Sequence, residues 1–165
     1  MKKWLWVCMG VLLWNCDDGD LEIKEIDFDE VLMSSCMTDL ENTVFFKIKE
    51  DESLILVLQE GILQNAVGEV FSDIPSQSQF YYRFFNNTVS SAYFCSEIPP
   101  ATPSVEREIE ATGGTLVITT AEETLDDGSM VYHHTFTIEN LILTNENGEQ
   151  LVDTNFELGV FTTDQ

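Results

Sequence analysis

The chain has 165 residues, 44% of them hydrophobic, with 30 acidic against 7 basic side chains and a formal net charge of −23. That length and apolar content suffice for one domain with its own core. The charge repels nucleic acid phosphate and anionic lipid head groups, which excludes both as direct partners and favours cationic partners or divalent ions.

Two lysines, Lys2 and Lys3, precede an unbroken apolar run from Trp4 to Trp14, and the chain turns acidic at Asp17. This is the three-part pattern of a secretory signal peptide. The run holds 11 residues. As a helix it reaches about 16 Å, against a bilayer core of about 30 Å, so it is not a spanning helix. Leu13 stands three residues before Cys16, and in this the stretch resembles a bacterial lipoprotein signal, with Cys16 as the lipidated first residue of the mature protein. Trp14 and Asn15 occupy places where the usual pattern has small residues. Cys8 also has a leucine three residues before it, Leu5, but cleavage there would leave too short an apolar core. The resemblance divides the chain into a signal peptide over 1–15, an acidic lipidated tether over 16–29 and a single β domain over 30–165. At about 0.8 kcal/mol per buried methylene, the two or three acyl chains of a lipoprotein anchor it to the membrane for its lifetime. Asp17, Asp18 and Asp20 resemble the acidic signal that sends Bacteroidetes lipoproteins to the outer face of the outer membrane. The expected location is therefore the outer membrane, facing the cell surface, with the periplasmic face of a membrane as the alternative.

Cys8 leaves with the signal and Cys16 takes the lipid, so Cys36 and Cys95 remain. An exported protein with one available pair is expected to close it as a disulfide. The loop spans about 60 residues, for which chain entropy gives about 4 kcal/mol. Two reduced, buried cysteines are the alternative.

Ile23, Ile26 and Phe28 mark a first strand at the end of the tether. Thr43 to Lys49 and the continuous apolar run Leu54 to Leu58 read as a hairpin turned by Glu50-Asp51-Glu52, the second strand being buried on both faces. Ile62, Leu63, Ala66, Val67, Val70 and Phe71 fall on one helical face, so the one short helix is expected near 61–71. Gly61 and Gly68 weaken it by about 1 kcal/mol each. Gln79 to Phe85 is a strand with aromatic residues on both faces, and Ser90 to Cys95 a further strand. Ile98 to Pro103, with three of the four prolines, is an extended crossover. Val105 to Ala111 alternates with Glu106, Glu108 and Glu110 on a wet face, Gly113-Gly114 breaks it, and Thr115 to Ala121 follows. Val131 to Ile138 places Tyr132, His134, Phe136 and Ile138 on one face. Leu141 to Leu143, the turn Asn145 to Gly148 and a strand over Asn155 to Thr162 close the chain. Short, evenly spaced strands with Gly and Asn turns predict an all-β fold, an antiparallel sandwich or barrel-like sheet of about eight or nine strands.

The sequence around Cys16-Asp-Asp-Gly-Asp, together with Tyr93-Phe94-Cys95-Ser96-Glu97-Ile98-Pro99-Pro100 and Asn145-Glu146-Asn147-Gly148-Glu149, resembles flavobacterial surface lipoproteins over most of its length. That resemblance implies a location and no activity.

Three constellations are candidates for chemistry. His133 and His134 are adjacent on a strand and point to opposite faces, so they cannot share one metal, and His134 belongs with the core. Asp126-Asp127-Gly128 and the acidic run at Asp17 are candidates for calcium, which takes six to eight oxygens. Neither matches the twelve-residue calcium loop, and Asp-Gly is also a hairpin turn. Phe80, Tyr81, Tyr82, Arg83, Phe84 and Phe85 could present an aromatic platform for sugar rings, with Tyr81, Arg83 and Phe85 the ligand-binding candidates and core packing as the competing role. No Gly-x-Ser-x-Gly elbow, phosphate loop or His-Glu-x-x-His occurs. The sequence thus reads as a lipid-anchored envelope protein that binds or supports a protein or glycan partner, the alternative being a divergent carbohydrate-active hydrolase or glycan-binding surface protein.

Overall fold

A computed structural model describes residues 26–164. They form eight antiparallel strands and one short helix: β1 (Ser34–Ser35), β2 (Val44–Lys49), β3 (Glu52–Val57), β4 (Gly68–Ile74), β5 (Gln79–Phe85), α1 (Ser91–Cys95), β6 (Val105–Thr124), β7 (Met130–Thr144) and β8 (Gln150–Asp164). The strands make one sheet in the order β1-β2-β3-β5-β6-β7-β8, with β4 paired to β6 outside that path. The all-β antiparallel class expected from turn spacing is what forms, as a curled half-barrel.

β6 makes the curl. Its first part, Val105 to Glu110, pairs with β5, and its second part, Gly114 to Thr120, pairs with β4. The opposite edge pairs with β7 from Ala111 to Thr124, and the register shifts on both sides of Gly113. Gly113-Gly114 therefore bends a single strand and does not end one. Gly114 sits at φ +141°, and a Cβ there would meet Ile138 Cγ2 at 3.0 Å and Leu141 Cα at 3.3 Å. Only glycine suits both that backbone conformation and that approach.

Past the bend, the core-facing side chains of β7 and β8 turn toward those of β2 and β5. Phe45 lies 4.9 Å from both Phe136 and Phe161, and Phe80 lies 5.6 Å from Phe156, measured between ring centroids. Leu54, Leu56, Leu116, Ile118, Ile138 and Leu158 complete the buried core around them. Leu54, Ile55 and Leu56 are all buried, as a strand covered on both faces requires. The Glu106, Glu108 and Glu110 face of β6 is exposed.

Three elements differ from the sequence reading. Residues 61–71 are not helical. Gly61 (φ +77°) and Gly68 (φ +136°) lie outside the helical region, and 68–74 instead form β4, which completes the edge of β6. The helix is at Ser91–Cys95, where a strand was expected. A strand would point Tyr93 and Phe94 to opposite faces. The helical turn brings both rings onto the outside of the sheet, Phe94 stacking on Phe46 at 4.6 Å and Tyr93 meeting Phe85 edge-on at 4.9 Å. Finally, residues 26–33 form no strand. Phe28 is buried in the core, with Ile26, Val31 and Met33 packed against it.

Cys36 and Cys95 are joined by a disulfide, their Cα atoms 5.2 Å apart. It ties the segment after β1 to the end of α1, and so holds the helix over Phe46 and Phe85. Reduction, or Cys36→Ser with Cys95→Ser, should lower stability by about 2–4 kcal/mol. A urea titration with and without reductant measures this, and an unchanged midpoint would show that the bridge adds nothing.

Candidate functional site

Tyr81, Arg83 and Phe85 do share the outer face of β5, but they do not make an open shelf. Phe85 is buried beneath Tyr93 and Phe94. Arg83 donates from Nε to Glu108 at 2.6 Å and forms an ion pair with it. Tyr81 is half-buried and donates to Gln79 Oε1 at 3.0 Å. The opposite face of β5 supplies Phe80 and Tyr82 to the core. Tyr82 donates to Glu52, and burial together with that carboxylate pushes the phenol well above its ordinary range.

Asp126 and Asp127 occupy the β6–β7 turn. Asp127 Oδ1 accepts from the Ser129 backbone N–H at 2.9 Å and from its hydroxyl at 2.6 Å, and these bonds hold the Asp127 carboxyl below its ordinary range. The carboxylate thus serves the turn, and among the described residues no group of three or more His, Cys, Asp or Glu side chains is placed to hold a metal ion. Cys16, Asp17, Asp18 and Asp20 lie outside the described residues.

The histidines separate as adjacent strand residues must. His133 is on the outside, bonded to Glu123 at 2.8 Å and Thr162 at 3.0 Å. His134 is fully buried. Thr163 donates its hydroxyl proton to Asn65 Oδ1 at 2.6 Å, so its oxygen accepts from His134 Nε2–H at 3.0 Å. The other ring nitrogen, Nδ1, then accepts from Thr120 Oγ1 at 2.9 Å. The chain of bonds places a proton on Nε2, burial favours the neutral ring, and Asn65 continues the chain by donating to the Asp164 carbonyl at 3.1 Å.

The open side of the half-barrel holds the feature with most chemical potential. A groove of about 740 Å³ runs between β8 and the 26–33 segment, lined chiefly by Ile26, Asp29, Lys47, Asp153, Phe156 and Glu157. Lys47 is in phase with Phe45 along β2 and so points to the inside of the sheet. It is 5% exposed. The other described cations are engaged: Lys49 with Asp27, Arg83 with Glu108, and Arg107 over the Phe84 ring at 3.9 Å. Lys47 makes no ion pair among the described residues. Burial lowers its pKa, and the charge of Asp29 nearby partly restores it. Lys47 lines the groove. The strand pattern of β2 concealed this placement: Phe46 and Ile48 alternate with Lys47 and Lys49, which sets both lysines on the polar face, whereas the structure buries Lys47. A second recess, about 380 Å³ beside Phe84, Arg107 and Asn147, offers no such free charge, since Arg107 lies on the ring.

No family model, curated protein or solved structure matches this chain.

Burial and the neighbouring His133 lower the His134 pKa below its ordinary 6.5. Below that value the unfolded chain takes up a proton that the folded one refuses, so stability is lost as pH falls from about 6.5 toward the folded value. Urea midpoints between pH 7.5 and 5 should therefore fall more in the wild type than in His134→Leu, which removes the titrating ring. Equal slopes would place the acid sensitivity elsewhere.

Proposed function

We propose that the protein is a lipid-anchored component of the cell envelope, held on the outer membrane through Cys16, whose disulfide-closed half-barrel binds a partner and does not catalyse a reaction. The observation that carries the reading is the cysteine pattern. The Cys36–Cys95 disulfide fits an oxidising, exported setting. It also accounts for both cysteines downstream of Cys16, leaving that residue, just after the apolar run and three after Leu13, for acylation. Asp17, Asp18 and Asp20 then supply the signal for display at the surface.

Binding is favoured over catalysis by what the inner groove offers. Its polar residues, Asp29, Lys47, Asp153, Asn155 and Glu157, are spread along a trough, an arrangement suited to an elongated ligand. The outer aromatic residues are less suited to a sugar ring, since Phe85 is covered and Arg83 is paired.

In cells that make the protein, palmitate labelling and partition into the detergent phase should both disappear in Cys16→Ala, while the disulfide still forms. Labelling that persists in the variant would refute the anchor. Changing Asp17, Asp18 and Asp20 to Ala should leave the protein membrane-bound but shielded from external protease.

A further inference from the structure

The groove beside Lys47 has a shape that selects among ligands. Of the residues from Leu151 to Gly159 on β8, all except Thr154 line it. Successive strand residues point to opposite faces, so a groove lined by nearly every residue of one strand runs along its edge and not across a face. That edge is unpaired: β8 bonds to β7 along its other side, and among the described residues no strand pairs with it on the groove side. An unpaired strand edge presents a row of backbone N–H and C=O groups, the template for adding a further strand; in this row the Asn155 N–H donates to Asp153 Oδ1 at 2.9 Å, and the register shifts at Leu158.

The side chains around this edge define what the added strand must carry. Phe156 and Leu158 are buried inward, while Val152 is 58% exposed, so apolar contact is available beside the backbone row. Lys47 offers a nearly buried cation that feels the charge of Asp29 but makes no ion pair among the described residues, and Asp153 and Glu157 line the same groove. A second copy of this chain fits poorly, because two such edges would bring acidic strands together within a molecule of charge −23.

We propose that the β8 edge binds an extended peptide segment of a partner protein by strand addition, with a carboxylate of the peptide paired to Lys47 and basic side chains set against the acidic groups beside it. This deepens the binding role proposed above and rests on it. Lys47 confers selectivity, since a neutral residue opposite it adds no ion pair to a nearly buried charge, whereas a carboxylate supplies one.

The test is selection of random nonapeptides on the full-length protein in detergent micelles, repeated with Lys47→Met, which keeps the bulk of the side chain without its charge. Wild type should enrich peptides with Asp or Glu at one fixed position and Lys or Arg near it. A selected peptide made with Gln at the acidic position should bind at least tenfold more weakly, and Lys47→Met should remove that difference. N-methylation of alternate backbone amides on the edge-facing side should abolish binding. The proposal is overturned by a lack of enrichment, by the same acidic preference in Lys47→Met, or by N-methylated peptides that bind equally well. Sedimentation showing a dimer that β8 peptides disrupt would assign the edge to a second copy. Enrichment only after deletion of residues 17–25 would assign the groove to that segment, and either result overturns a partner peptide. Running the selection also on Cys16→Ala separates the two ideas, since a failed anchor leaves peptide binding unchanged.

Discussion

The half-barrel depends on one strand serving two sets of neighbours. β6 is 20 residues long, well beyond the usual strand of about five or six, and a flat strand of that length would hold β5 and β7 in a single plane. The turn at Gly113-Gly114 lets it leave one direction and take another, and its pairing with β7 resumes beyond the bend in a shifted register. Only then do Phe136, Phe156 and Phe161 come within ring contact of Phe45 and Phe80. Removing a buried ring of this kind costs about 3–5 kcal/mol, so the contacts across the curl account for a large share of a domain's net stability of about 5–15 kcal/mol. The glycines themselves contribute little directly; they permit the geometry in which the rings meet.

A curl that stops short of closure leaves a seam. β1 and β2 end the sheet on one side and β8 on the other, and no pairing joins them among the described residues. The 26–33 segment fills part of this gap with Phe28 and Met33. Met33 comes so close to Gly159 that a Cβ there would lie 3.1 Å from it. What this segment does not cover is the groove with Lys47. The same incompleteness that gives the fold its open side thus leaves, among the described residues, both an unpaired strand edge and an inward lysine without an ion pair. On the opposite face the disulfide and α1 cover Phe46 and Phe85, so the outer aromatic cluster is closed while the inner seam is open.

The strands were legible in the sequence wherever alternation was clean. Tyr132, His134, Phe136 and Ile138 lie on the inward face as their spacing implied, and the glutamates of β6 lie outside. The Cys36–Cys95 pair was legible once Cys8 and Cys16 were set apart by the lipoprotein resemblance. Residues 61–71 misled because Ile62, Leu63, Ala66 and Val70 fit a helical period by coincidence, while the backbone is fixed by two glycines at positive φ and by an edge of β6 in need of a partner. Ser90 to Cys95 misled in the opposite sense: its aromatic residues suit a strand, yet Phe46 and Phe85 offer a surface that two adjacent rings reach together only from a helical turn. Lys47 was not legible as an inward residue, because it alternates with Phe46 and Ile48, and its lack of an ion pair among the described residues depends on the fold around it. Tyr81, Arg83 and Phe85 share the outer face of β5, but nothing in their spacing announces the helix that covers Phe85.

The bend at Gly114 is the most exposed point of this account. Gly114→Ala forces a Cβ against Ile138 and the backbone at Leu141 at a φ that alanine resists, whereas Gly128→Ala (φ +85°) strains the backbone where no atom lies within 4 Å of the added Cβ. Side by side, the urea midpoint of Gly114→Ala should fall by an amount equivalent to about 2 kcal/mol or more beyond that of Gly128→Ala, with the excess arising from the steric approach as well as from φ. Equal midpoints for the two variants would contradict the claim that the half-barrel closes through the bend in β6.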